Sequence, residues 1–182
     1  MENIKLLDKE FRPYINATEI DRTITSMARR MNEDLKDEKP LFISILNGSF
    51  MFTSDLIKQI SVEGTEISFI KVSSYNGTSS SGEVKELIGL KEEITGRTVV
   101  ILEDIIETGI SMDHLVKYLK ARNPKRVVIA TLFHKPKAEV VHVPIDYIGF
   151  DLENDFIVGR GLDYEGLGRN LPDLYVLNEN NK

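Results

Sequence analysis

The stretch TVVILEDIIETGIS, residues 98–111, decides how this chain folds. Residues 98–102 are an unbroken apolar and β-branched run, the pattern of a strand covered on both faces. Residues 111–123, SMDHLVKYLKARN, space their apolar side chains as a helix does, and 126–133, RVVIATLF, is a second buried run. Strand, helix and strand in that order form a parallel crossover, so the class is α/β. The acidic, glycine-containing turn after Leu102 then falls at the carboxyl edge of a parallel sheet, where such folds bind ligands.

Working outward, LFISIL at 41–46 is a further buried-strand pattern, ended by Asn47-Gly48 and followed by helical spacing over 49–60. Residues 18–35 place Ile20, Ile24, Met27, Ala28 and Met31 on one helical face, with Thr18 as the N-cap. Strand-like segments at 66–74, 147–152 and 156–158 extend the sheet, giving an open, mostly parallel sheet flanked by helices. No repeat or linker interrupts the 182 residues, which read as one domain burying about 70% of its unfolded surface. Residues 75–82, YNGTSSSG, predict a loop, suited either to a hairpin tip or to a lid over a reactive intermediate.

Hydrophobic residues at 41% and charged residues at 29% exclude a disordered or collagen-like chain. No apolar run approaches the roughly 18 residues that cross a bilayer. Residues 1–11, MENIKLLDKEF, carry charges where a signal peptide needs an apolar stretch, so a cytoplasmic location with no membrane partner is expected. The absence of cysteine removes disulfides and thiolate chemistry, and His114, His134 and His142 lack metal-ligand spacing. A net charge of -6 disfavours nucleic acid, though an anionic small molecule can still bind with a divalent cation. Two phosphate motifs fail. GTSSSGE at 77–83 has Glu83 where a phosphate loop requires lysine, and Gly159-Arg160-Gly161 leads to Tyr164 where a dinucleotide fingerprint needs its last glycine.

The turn itself combines complementary groups. Glu107, Thr108, Gly109 and Ser111 can form a tight loop whose N–H groups, hydroxyls and helix N-terminus hold a phosphate monoester. Glu103 and Asp104 can accept hydrogen bonds from vicinal ribose hydroxyls and lie near a magnesium ion shared with substrate oxygens. The alternative is a solvated acidic turn with Ser111 capping the helix.

ILEDIIETGISM (101–112) resembles the phosphoribosyl-pyrophosphate motif of type I phosphoribosyltransferases, in the form found in their hypoxanthine-guanine branch. In the same order along the chain, ILNGSFMFTSDL resembles the branch's pyrophosphate-side loop, and VSSYNG the start of its flexible catalytic loop. LFHKP is similar to the segment bearing the purine-reading lysine, and DFIVGRGLDYEGLGRNLPDLY to the hood over base and pyrophosphate. The likeness runs over residues 41–175. It implies the type I phosphoribosyltransferase fold, with a core over about 18–150 and a small hood from the N-terminal segment and about 151–178.

The resemblance further implies that Thr108, Gly109 and Ser111 hold the 5-phosphate while Glu103 and Asp104 face the ribose hydroxyls and a magnesium ion. Glu107 would be the general base at purine N7, Lys135 would donate to the 6-oxo group, Phe156 would stack on the base and Ile157 would present backbone groups to its edge. Asp163 would help bind a second magnesium ion, Asn47-Gly48 and Arg169 would contact pyrophosphate, and Ser74-Tyr75 would close over the reacting centre. Two positions depart from the common family pattern: Asn47 stands where lysine is usual, and Glu107 where aspartate is usual. The implied reaction is transfer of the phosphoribosyl group to a 6-oxopurine by a homodimer or homotetramer. A non-catalytic regulator on the same fold is the rival, and a phosphate-accepting receiver domain leaves the Thr-Gly-Ile-Ser loop unexplained.

Overall fold

The computed structural model describes residues 2–72, 87–88 and 90–178. In chain order the elements are β1 (Ile4–Leu6), β2 (Lys9–Ile15), α1 (Ala17–Asp34), β3 (Leu41–Leu46), α2 (Phe50–Ile57), β4 (Glu66–Val72) and β5 (Leu87–Ile88). There follow β6 (Thr98–Ile106), α3 (Ile110–Lys120), β7 (Arg126–His134), β8 (Tyr147–Asp151), β9 (Ile157–Val158) and β10 (Leu174–Leu177), with a 3-10 turn at Pro136–Ala138. The main sheet has the order β5-β4-β3-β6-β7-β8. Its pairings are parallel from β4 through β8, and β5 is antiparallel at the edge.

Alternation along β6 explains why residues 98–102 read as one apolar run. Val100 and Leu102 face Phe42, Val128 and Ala130, under Ile20, Ile24 and Met31 of α1 and Phe52 and Leu56 of α2. Val99 and Ile101 point the other way, to Ile43 and Ile129 under Met112, Leu115 and Leu119 of α3. A central strand covered on both faces favours apolar side chains on both. Each such side chain, fully buried, contributes about 1.5–3 kcal/mol.

α1 starts earlier than its sequence predicts. The cap is Asn16, whose side chain accepts the Glu19 N–H at 2.9 Å, so Thr18 lies within the first turn. Asn16 is the stronger capping type, and its extended backbone lets Oδ1 reach the third N–H.

A second, antiparallel sheet of order β1-β2-β10-β9 forms the hood around Phe11, Val158 and Tyr175. The 156–158 segment therefore does not extend the main sheet: Ile157 and Val158 pair with Val176 and Tyr175 of β10. The hood is fastened to the core where Asp173 accepts the Ala17 N–H at 2.7 Å at the start of α1. Among the described residues, no helix is long and apolar enough to cross a membrane.

Candidate active site

β6 outruns its buried half and delivers Glu103 and Asp104 to the sheet edge before the chain turns through Glu107, Thr108 and Gly109 into α3. Gly109 occupies the capping position at φ 75°, and a Cβ there would lie 2.0 Å from the Val141 carbonyl oxygen, so only glycine fits. The Thr108 carbonyl accepts the Val140 and Val141 N–H groups, both at 3.0 Å, pinning the loop on its outer side. No side chain caps α3. Ser111 lies inside the first turn rather than at the cap, which removes the capping alternative, and it lines the cavity.

That cavity, about 170 Å³, is lined by Glu103, Ile105, Ile106, Glu107, Thr108, Gly109, Ser111 and Met112. It brings together the phosphate-loop residues and Glu103 as the sequence predicts. Uncapped N–H groups of a helix start, together with two hydroxyls, make an anion cradle.

Burial pushes the Glu103 carboxyl well above the usual carboxylate range, and the neighbouring Asp104 charge adds to it. Asp104 is buried beneath the loop after β3, where a Cβ on Gly48 would lie 1.6 Å from its Oδ2. Next to it, a Cβ on Gly161 would lie 1.9 Å from the Gly48 carbonyl oxygen. Asp104, Gly48 and Gly161 thus form three contacting layers that carry the chain from sheet to hood.

The Gly48 loop begins at a cis peptide between Leu46 and Asn47. It is held by buried hydroxyls that the sequence reading did not single out. Ser49 donates to the Ile45 carbonyl at 2.5 Å, and Ser44 bonds to Ser49 at 2.7 Å and to Thr53 at 2.8 Å. Asn47 itself is exposed.

Lys135, at the end of β7, is 5% exposed, and its ammonium is paired with the Glu107 carboxylate. Its backbone N–H donates to the Ile106 carbonyl at 3.0 Å, which keeps β7 and the phosphate loop in step. Phe156 is 45% exposed, edge-on to Tyr164 and tilted against Phe11. Ile157 is buried in β9.

Asp163 pairs with Arg169 at 2.5 Å and accepts the Gly166 N–H at 2.7 Å. Arg169 in turn donates to the Gly161 carbonyl at 2.8 Å. Glu103, Asp104 and Asp163 do not converge: among the described residues, no group of three or more acidic or histidine side chains could hold a metal ion alone. Glu103 and Asp104 nevertheless fit a hard cation that completes its shell from substrate oxygens, because such an ion would relieve the charge that burial penalises. Ser74, Tyr75 and the failed motif at 77–83 lie outside the described residues.

A buried guanidinium was overlooked in the sequence. Arg160, set between two glycines, is 4% exposed and pairs with Asp21 of α1 and Asp55 of α2. The signal was present in a charged residue inside the apolar IVGRGL segment.

The parallel sheet, the anion cradle at its carboxyl edge and the hood above it form a type I phosphoribosyltransferase fold, and the chain belongs to the phosphoribosyltransferase family, its residues 15–165 matching the phosphoribosyl transferase domain. It is 43% identical over 162 residues to the hypoxanthine-guanine phosphoribosyltransferase of Streptococcus pyogenes, covering 88% of this chain and 89% of that one. The protein of the same name from Dictyostelium discoideum is 40% identical over 165 residues, covering 88% of this chain and 92% of its own. A crystal structure of a hypoxanthine phosphoribosyltransferase from Staphylococcus aureus superposes with a TM-score of 0.84 at 34% identity, covering 93% of this chain and 92% of that one.

Proposed function

We propose that this chain is a purine-salvage enzyme that transfers the 5-phosphoribosyl group from phosphoribosyl pyrophosphate to hypoxanthine, and also to guanine, releasing pyrophosphate. The observation that carries this reading is the pairing of Lys135 with Glu107 at the rim of the Thr108-Gly109-Ser111 cavity. It sets a donor for a 6-oxo group and a carboxylate for an imidazole nitrogen beside a phosphate cradle.

In this reading the 5-phosphate takes the uncapped N–H groups of α3 and the hydroxyls of Thr108 and Ser111. Purine N9 attacks ribose C1, the bond from C1 to the pyrophosphate oxygen breaks, and the imidazole proton passes from N7 to Glu107. Lys135 leaves Glu107 for the 6-oxo oxygen, Phe156 stacks on the ring and the backbone of Ile157 faces its edge. Glu103 and Asp104 accept from the ribose hydroxyls, holding the sugar as positive charge develops at C1. Backbone groups of Asn47 and Gly48, with Arg169, receive the departing pyrophosphate.

Glu103 and Asp104 would hold one magnesium ion and Asp163 would help hold a second, and magnesium would supply charge neutralisation to the leaving group. The enzyme works in the cytoplasm as a homodimer or homotetramer. Incubation with magnesium, phosphoribosyl pyrophosphate and each purine base, with chromatography of the nucleotides, tests the reading. Hypoxanthine and guanine should yield monophosphates and pyrophosphate, and absence of both products refutes it.

A further inference from the structure

Between Gly159 at φ 102° and Gly161 at φ 105°, Arg160 itself sits at φ 52°, a backbone region that a long side chain occupies only when its surroundings enforce it. The enforcing contacts are visible. Its guanidinium reaches Asp21 on α1, Asp55 on α2 at 2.8 Å and the Pro172 carbonyl at 3.3 Å. A guanidinium so buried is tolerable because two carboxylates and a carbonyl replace the water of its terminal nitrogens, while Nε is buried without a partner. Nη2 serves both carboxylates while Nη1 reaches the Pro172 carbonyl, so a compact ammonium would have to give up part of this set.

The neighbouring backbone shows what this clamp fixes. The Arg160 N–H donates to Leu171 at 2.8 Å and the Gly161 N–H to Arg169 at 3.0 Å, while the Gly161 carbonyl accepts from the Arg169 side chain at 2.8 Å. Gly161 also rests on the Gly48 carbonyl. The strap from Gly159 to Gly161 therefore touches both the Gly48 loop and Arg169, and Arg160 ties that strap to the two helices of the core.

We infer that Arg160 is a positioning residue for the pyrophosphate side of the site: its clamp on Asp21 and Asp55 seats Gly161 against Gly48 and aims Arg169. This rests on the phosphoribosyl-transfer reading and adds to it a residue that touches no substrate. A helix-to-hood clamp that served stability alone would affect melting and leave the two substrates equally bound.

Steady-state kinetics of Arg160→Met, Arg160→Lys and Asp55→Asn separate these roles. For Arg160→Met the KM for phosphoribosyl pyrophosphate should rise by about tenfold or more, since small misplacements at a site of this kind carry such costs. The KM for hypoxanthine should stay within about twofold, because Lys135 and Phe156 lie outside the strap. Arg160→Lys should fall between Arg160→Met and the wild type. Magnesium pyrophosphate titrated calorimetrically should bind correspondingly more weakly to Arg160→Met.

Tyr147→Phe removes a hydrogen bond of 2.6 Å to Asp34 at the far end of α1 and supplies the stability control. It should lower the melting temperature without moving either KM. If Arg160→Met does not fold, Asp55→Asn, which keeps the Asp21 pair, carries the same comparison. An unchanged KM for phosphoribosyl pyrophosphate, or an equal rise for both substrates, overturns the inference. A wild-type chain that makes no nucleotide overturns the functional reading instead, and the pyrophosphate titration then decides the role of Arg160 by itself.

Discussion

The ammonium of Lys135 and the carboxylate of Glu107 form an ion pair between the end of β7 and the loop after β6, with the lysine buried and the glutamate half exposed. A buried ammonium requires a partner, and Glu107 supplies it where no purine is bound. The longer reach of glutamate relative to aspartate favours this pairing. In the proposed reading, a purine must offer Lys135 an acceptor at least as good, which restricts the chemistry of the purine 6-position.

Adenine is accordingly expected to be a poor substrate. Its 6-amino group donates, as Lys135 does, so both would lose hydration without compensation. Such a mismatch costs on the order of 1–3 kcal/mol, or more beside a charge, giving at least about 10- to 100-fold discrimination. Comparison of kcat/KM for hypoxanthine and adenine checks it, and equal values remove Lys135 from purine recognition.

Replacing Glu107 by glutamine keeps the shape and an acceptor for Lys135 but abolishes proton uptake. The chemical step, followed in single-turnover experiments, should fall by roughly 100-fold or more. A wild-type rate in Glu107→Gln leaves the proton without its assigned acceptor.

Gly96 and Gly109 share a left-handed backbone, at φ 71° and 75°, but a Cβ at Gly96 meets nothing within 4 Å whereas one at Gly109 meets a backbone oxygen at 2.0 Å. Gly96→Ala should cost about 1–2 kcal/mol in denaturant unfolding and leave turnover intact. Gly109→Ala should cost more and also raise the KM for phosphoribosyl pyrophosphate, because Val141 and the loop must separate. Equal unfolding costs for the two variants contradict the close approach.

How much of this was legible beforehand depended on sequence distance. Glu103 to Ser111 are contiguous, and the strand and helix around them announce themselves by pattern, so cavity and cradle followed from one stretch. The hood did not. β2 mixes Lys9, Glu10, Arg12 and Pro13 with its apolar residues, as a strand in a small, partly solvated sheet does, and β9 is only two residues long, too short to specify its partner. The Arg160 clamp was illegible for another reason: Asp21 and Asp55 lie 139 and 105 residues away, and only the folded chain unites them. Asn16 and Thr18 are both types that satisfy a helix start, and only the backbone conformation shows that Asn16 is the cap.

The exposure of Asn47 leads to a further expectation. If the loop after β3 receives pyrophosphate through N–H groups, Asn47→Ala should leave pyrophosphate affinity nearly unchanged in calorimetric titration. A large loss assigns the contact to the amide side chain.

The most direct measurement mixes the purified chain with magnesium, phosphoribosyl pyrophosphate and hypoxanthine and quantifies nucleotide and pyrophosphate together. Inosine monophosphate and pyrophosphate should appear in equal amounts, and excess chelator should abolish both, since the clustered carboxylates and phosphates require a cation between them. Failure to form nucleotide under these conditions, or full turnover in chelator, contradicts the proposed transfer or its metal dependence respectively.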